Sequence, residues 1–452
     1  MTEKLLWEEE MMKKRCLAVM LAVSMLIGVF TGCSGKTDNS AEESVAGSEV
    51  NNSTETSDEK VTLKWALWDL DATAYWKPLA EAYMKTHPNV EIEYVDLGST
   101  DYAVMLSTQL AGGADLDIIT NKGTDDYLNN TSKGAFEPLN DFIAAEGINT
   151  ADYNGIIEDI TLDEQVYALP FRSDFWLIFY NKDLFDQAGV PYPDNDTTVQ
   201  EYFDMGYQLT QGEGNDKVYG LFNTPWTHPI LNFGVQDGKH EIYTDDYSML
   251  KPYYEIFLKA QDDGICMDYA TMTTAGTHYS GVFYNQQAAM VYIGSWFVTM
   301  QMEKVKSGES QAVNWGIAAF PHVEGVEPGT TMGSHTTLSV NVNSKHKEEA
   351  LDFIKFASGA EGAQVLAEMG TFPALMNDDV INTIASAEGF PQDETSREAL
   401  HPTKVMLDFP IHEKMPEFGE LINEGHSNIM NGNCTIDEGI EIMNEKARKL
   451  LE

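Results

Sequence analysis

Basic side chains are scarce in this chain. Its 452 residues carry 28 Lys and Arg against 72 Asp and Glu, a formal net charge of −44. Binding to nucleic acid, which rests on cations displacing counterions from phosphates, is thereby excluded. The acidity reads as a solvated surface that keeps a protein soluble and does not by itself call for a cationic ligand. Cysteine is rarer still. Of the four, Cys16 and Cys33 lie near the N-terminus, while Cys266 and Cys434 stand far apart with no metal-ligand spacing around them. A disulfide between them and two free thiols both stay open. Catalytic motifs are missing as well: there is no H-E-x-x-H, G-x-S-x-G, P-loop or EF-hand loop, and Gly212 and Gly214 complete no dinucleotide fingerprint. The ten histidines include no i, i+4 pair backed by acids. No catalytic residue, metal or cofactor is therefore expected. Asp125-Asp126 and Asp262-Asp263 are acid pairs of the kind glycosidases use, but with 72 acids such neighbours arise by chance, and a solvated surface is the better reading for both. No repeat of solenoid or propeller period is present.

What is there is a large apolar complement, 43% of residues with 11% aromatic, enough to build a substantial core. Single cores stop growing beyond roughly 250–300 residues, so a folded region of this length should divide into two lobes. The N-terminus is laid out as an export signal: basic Met12 to Arg15, the apolar run Leu17 to Phe30, then small residues up to Cys33. That run of 14 residues is shorter than the roughly 20 needed to span a bilayer. The three acids Glu8 to Glu10 fit badly ahead of such a signal and point to a start at Met11 or Met12. Residues 1–32 are thus expected to be a signal peptide. Between Ser34 and Lys60 only Val45 and Val50 are sizeable apolar residues, so 33–60 should be a disordered tether.

Beyond it the pattern alternates. Val61 to Trp68, Val90 to Leu97 and Leu116 to Thr120 read as strands, separated by helices over Pro78 to His87 and Asp101 to Leu110. This spacing predicts βαβ units and a largely parallel sheet, hence an α/β fold. Phe175 to Tyr180 reads as a doubly covered strand feeding a helix over Lys182 to Ala188. Ser344 is expected to cap a helix ending at Gly359, and Thr435 with Glu438 forms a capping box before an apolar stripe of Ile436, Ile440, Met443, Ala447 and Leu450. Tryptophan stands out: Trp68, Trp226 and Trp296 each sit beside turn-forming or strand-ending residues, where an indole can reach a cleft and pack against the C–H face of a pyranose.

Five stretches name a family by their joint order: Gly113 to Ile119, Tyr167 to Val190, Ala288 to Trp296, Gly316 to Pro321 and Ser344 to Ala357. The chain from about residue 61 to 452 resembles the family 1 extracellular solute-binding proteins, the maltose-binding-protein-like substrate receptors of bacterial ABC importers. The residues ending at Cys33 resemble a lipobox, which implies a diacylglycerol anchor on Cys33. The resemblance implies a two-lobed periplasmic-binding-protein type II fold, with a ligand cleft between lobes joined by hinge segments. Lobe one is expected over 61–172 and 338–372, lobe two over 173–337 and 373–452.

By position in the family's motifs, the resemblance implies ligand contacts from Trp68 and Asp69 after the first strand, Lys122 and Asp125 after the third, Asp174 six residues before Tyr180-Asn181, Trp226 in a Pro-Trp loop and Trp296 closing Gly-Ser-Trp. A salt bridge with Arg172 is the structural alternative for Asp174. Thr120-Asn121-Lys122 stand where maltose-binding protein has aromatic-rich residues, which argues against maltodextrin. The implied function is reversible capture of a carbohydrate, of oligosaccharide size, by a monomer. It would be lipid-anchored on the outer face of the cell membrane, a Gram-positive surface being favoured by the long acidic tether, and would deliver the sugar to the transmembrane subunits of a permease. A secreted carbohydrate-active hydrolase, or a receptor for a non-sugar solute, is the alternative.

Overall fold

The computed structural model of the chain describes residues 60–452 apart from 72, 99, 100 and 154. The expected signal peptide, Cys33 and all but the last residue of the expected tether lie outside the described residues. Among the described residues nine strands form a continuous curled sheet: β1 (Val61–Leu67), β2 (Val90–Asp96), β3 (Ile118–Asn121), β4 (Leu169–Asn181), β5 (Tyr219–Phe222), β6 (Ala288–Gly294), β7 (Trp315–Ala319), β8 (Thr330–Val340) and β9 (Lys404–Leu407). Their order is β2-β1-β3-β8-β4-β6-β5, with β7 also on β4 and β9 also on β8. β1 pairs in parallel with β2 and β3, as the βαβ spacing requires. Beyond them the sheet is mixed: β5 pairs in parallel with β6 and β9 with β8, but the central pairings are not parallel. β8 runs antiparallel to both β3 and β4, and β4 antiparallel to β6 and β7, because the chain reaches these strands by long excursions and not by a βαβ crossover.

Two buried clusters lie on this sheet. The first gathers Leu63, Trp65, Trp76, Leu106, Ile118, Leu169, Phe171, Leu338 and Phe353. The second gathers Phe175, Trp176, Phe179, Tyr202, Phe233, Val291, Phe297, Ile317, Met332, Phe418 and Met443. β4 and β8 belong to both. Residues Leu169 to Phe175 of β4 pair with β8, while Trp176 to Tyr180 pair with β6. Every residue of β4 except Arg172 is buried, which is why the sequence here is a nearly unbroken apolar run and not an alternating one. The edge strand β2, in contrast, alternates buried Val90 and Ile92 with exposed Glu91 and Glu93. The helix Ala360–Glu368 is shared, Leu366 packing into the first cluster and Ala363 and Ala367 into the second.

Local signals performed unevenly. The helix Lys182–Ala188 starts on an Asn181 cap and stops at Gly189 in the left-handed conformation. Thr435 and Glu438 make the capping box of the last helix, Ile436–Leu451. Thr435→Ala should therefore lower stability by about 1 kcal/mol in chemical denaturation; an unchanged midpoint would mean that the box contributes nothing. Ser344 does not cap the helix Lys347–Ser358. His346 occupies that position, and the Ser344 hydroxyl instead accepts from His346 N and donates to Asp117. Cys266 is buried, Cys434 half-buried, and both are free thiols. Burial pushes the Cys266 thiol up to about 12, so it behaves as an apolar side chain.

Candidate functional site

A cavity of about 640 Å³ is lined from both clusters. One wall comes from the start of the helix Tyr102–Ala111 and from Lys122 to Asp126, which lead from the end of β3 into the helix Thr124–Ser132. The other comes from Trp176 on β4, Trp226 and His228 before and at the start of the helix His228–Val235, Trp296 opening the helix Trp296–Ser307, and Leu407 to Phe409 where β9 ends. Gly333 and Ser334 of β8 lie between. A smaller cavity of about 340 Å³ is lined by residues 175–403 alone. Another, of about 560 Å³, joins Asp159 and Leu162 to His240, Tyr243 and His412 but has no tryptophan in its wall.

The aromatic wall is an assembled cluster. Trp176 meets Trp226 and Trp296 edge-on at 6.3 and 5.7 Å between ring centroids and stacks on His228 at 5.6 Å. Trp296 donates from Nε1 to the Tyr279 hydroxyl at 3.0 Å, and Tyr279 in turn packs edge-on against Trp226 at 5.9 Å. Edge-to-face contacts of this kind fix ring planes as well as positions. Trp226 keeps 37% of its surface exposed.

Facing it, Asp125 and Asp126 occupy the first turn of their helix, where the backbone dipole favours negative charge. Asp126 also accepts from Lys122 N at 3.2 Å. Burial nevertheless outweighs these contacts. It raises Asp126 to about 6 and Asp125 above the usual carboxylate range. On the aromatic wall Asp408 is raised to about 7, chiefly by burial, and burial lowers His228 to about 4, which leaves that imidazole neutral at physiological pH. Among the described residues no group of three or more His, Cys, Asp or Glu is arranged to hold a metal ion.

Of the residues named from sequence, Lys122, Asp125, Trp226 and Trp296 line this one cavity. Trp68, Asp69 and Asp174 do not. Trp68 is packed edge-on against Trp76 and Tyr102 at 5.1 and 5.2 Å and meets the site through two of its lining residues, Tyr102 and the Lys122 ammonium, 5.3 Å from its ring. Asp69 holds a left-handed turn at φ 47°, its carbonyl accepting from Thr73 N. Asp174 is buried behind the wall, its carboxylate taken by Arg172 at 3.0 Å and by the Ser295 hydroxyl at 2.9 Å. Sequence reasoning missed Trp176, Tyr102, His228, Asp408 and Phe409. A signal existed for Trp176, since strand alternation puts it on the same face as Asp174. For Asp408 it was a lone acid inside the apolar run Val405 to Phe409.

Residues 68–364 match the model of the bacterial extracellular solute-binding protein family. A lactose-binding protein of Rhizobium radiobacter is 26% identical over 328 residues, 68% of this chain and 74% of that protein. A galactooligosaccharide-binding protein of Bacillus subtilis is 20% identical over 422 residues, 91% and 90% of the two chains. Among solved structures, a sugar transporter from Rhizobium etli in an open conformation superposes with a TM-score of 0.81 at 48% identity, covering 86% of this chain and 99% of that one. With its two-lobed α/β architecture and a cleft lined from both lobes, this chain belongs to the bacterial extracellular solute-binding protein family.

Proposed function

We propose that the chain is a lipid-anchored cell-surface receptor that captures a carbohydrate of oligosaccharide size between its lobes and delivers it to the transmembrane subunits of an ABC importer. The observation that carries this reading is the cavity itself: tryptophans on one wall, carboxylates and a lysine on the other. Pyranose C–H faces stack on Trp226 and Trp296, and hydroxyls bond to Asp125 and Lys122. A sugar touching both walls favours the closed arrangement by its differential affinity for it, with lobes divided near residues 172, 337 and 372. Asp174 acts one layer behind, and Trp68 and Asp69 shape the turn that carries Lys122's neighbour ring. The relatives named for lactose and galactooligosaccharides support an oligosaccharide. Cys33 carries the lipid and 33–60 the tether, on the outer face of the membrane.

The test is a thermal-shift screen of the mature chain against lactose, galactooligosaccharides, mannobiose, maltose and D-mannitol, followed by analysis of each mixture. A true ligand at a hundredfold excess over Kd should add about 2.7 kcal/mol of stability and be recovered intact. Shortened sugars would replace the receptor with a hydrolase. No shift with any of them would remove the carbohydrate from the proposal.

A further inference from the structure

Asp408 lies beyond the residues 68–364 matched by the family model, in the segment where β9 leaves the sheet. Its backbone is pinned to a crossing strand, Asp408 N donating to the Gly333 carbonyl at 2.8 Å. Both carboxylate oxygens accept from the single Nε1–H of Trp176, at 3.0 and 3.2 Å. One N–H cannot satisfy a carboxylate that has about four acceptor directions. The Asn232 side chain, fully buried, stands close enough to act on the carboxylate as a second hydrogen-bond donor, although neither of its polar atoms meets full hydrogen-bond geometry with any partner. Among the described residues no cation forms an ion pair with Asp408, and the charge it feels on β4 is the like charge of Asp174. The other titratable groups around it are His228, held neutral by burial, the Tyr292 phenol, and Asp125, Asp126 and Lys122 on the facing wall. An uncompensated buried carboxylate is expensive, and an amide would orient the Trp176 ring without that expense.

We propose that Asp408 is a specificity-determining ligand residue of this cavity, a carboxylate held short of hydrogen-bond donors until a bound sugar supplies a pair of hydroxyls, and at the same time the clamp that sets the plane of Trp176. The inference rests on the receptor reading above and adds to it the residue that selects the ligand. Donors arriving at the carboxylate favour its ionised form. Sugar binding therefore expels a proton near neutral pH, and affinity rises as pH climbs through the neutral range.

The experiment is isothermal titration of the native chain and of Asp408→Asn with lactose, mannobiose and maltose, at pH 6 and pH 8 and in buffers of different ionisation heat. Asparagine keeps the shape and an acceptor for Trp176 but removes the charge. The native protein should bind more tightly at pH 8 than at pH 6 and should release a proton on binding at pH 6, where the free carboxyl still holds one. The variant should lose about 10- to 100-fold in affinity at pH 8, as expected for hydrogen bonds to a charged group, together with most of the pH dependence. Asp126→Asn, at the other carboxyl that titrates near this range, should keep the proton release. Native-like affinity in Asp408→Asn, or native binding without proton release, overturns the inference and leaves the receptor intact. The second readout needs no variant and stands even if the substitution disturbs folding. Failure of the native chain to bind any of these three sugars or the galactooligosaccharides and D-mannitol of the screen above overturns this inference together with the reading it rests on.

Discussion

Replacing Gly294 by alanine should cost the cleft its sugar affinity although Gly294 itself touches no ligand. Gly294 ends β6, two residues before Trp296, and a Cβ built there would lie 1.9 Å from Cζ3 of that indole and 2.3 Å from two further ring carbons. An indole is rigid, so it must swing aside as a unit. It then leaves the Tyr279 hydroxyl and the edge contact with Trp176 that hold its plane. Overfilling of this kind lowers stability by about 1–3 kcal/mol. Because large aromatic anchors at the centre of a binding surface contribute about 2 kcal/mol or more, affinity should fall at least about 30-fold in calorimetric titration. A double-mutant cycle isolates the cause. In a Trp296→Ala background the added methyl has no ring to strike, so Gly294→Ala should have little further effect on stability. Equal loss in both backgrounds would place the fault in the backbone of β6.

Arg172→Met should be strongly destabilising although it lies on no apolar core position of the crossing strand. Arg172 donates from Nη1 to the Tyr75 hydroxyl at 3.0 Å and pairs through Nη2 with Asp174 at 3.0 Å. The Ser295 hydroxyl donates to the other Asp174 oxygen. Tyr75 belongs to the first cluster, whereas Ser295 follows β6 of the second, so these bonds form one polar chain across the place where β4 passes from core to core. Asp174 is only 3% exposed. Removing its cation leaves a buried charge with a single hydroxyl, a loss of about 3–5 kcal/mol in denaturant unfolding at pH 7. The pair itself need not be a net stabiliser. Arg172→Met combined with Asp174→Asn should regain most of the loss, and a double variant as weak as the single one would show that the arginine acts through Tyr75 instead.

What the sequence disclosed follows the range of the physics involved. Where a choice is local it was legible: the strands at Val61 and Val90 by alternation, the helix at Lys182 by its stop before Gly189, the capping box at Thr435. The Ser344 cap failed because a distant partner, Asp117, competes for the same hydroxyl. The antiparallel pairing of β8 with both β3 and β4 is set by contacts between segments far apart in the chain, which no periodicity encodes. The site divides in the same way. Trp226 and Trp296 sit at turns and element ends, where the family's motifs mark them, and both line the cavity. Trp176 looked like core because β4 is buried along nearly all its length, yet its edge is a wall of the cleft. Asp174 has a sequence position that fits a ligand contact, but a neighbour two residues away claims its carboxylate.

The placement of the indoles has an optical consequence. Trp65, Trp68 and Trp76 form one group, at 5.2 and 5.1 Å between successive partners around Trp76, sealed in the first core. Trp176, Trp226 and Trp296 form another at the cavity, and Trp315 stacks apart on Phe179. Light absorbed by Trp65 and Trp76, deepest in the first group, meets nearly the same surroundings whether the cleft is empty or full, while emission from the second depends on what replaces water against Trp226. The unlabelled molecule therefore carries an internal reference and a reporter in one spectrum, and the filling of its cleft can be followed in real time by the difference between them.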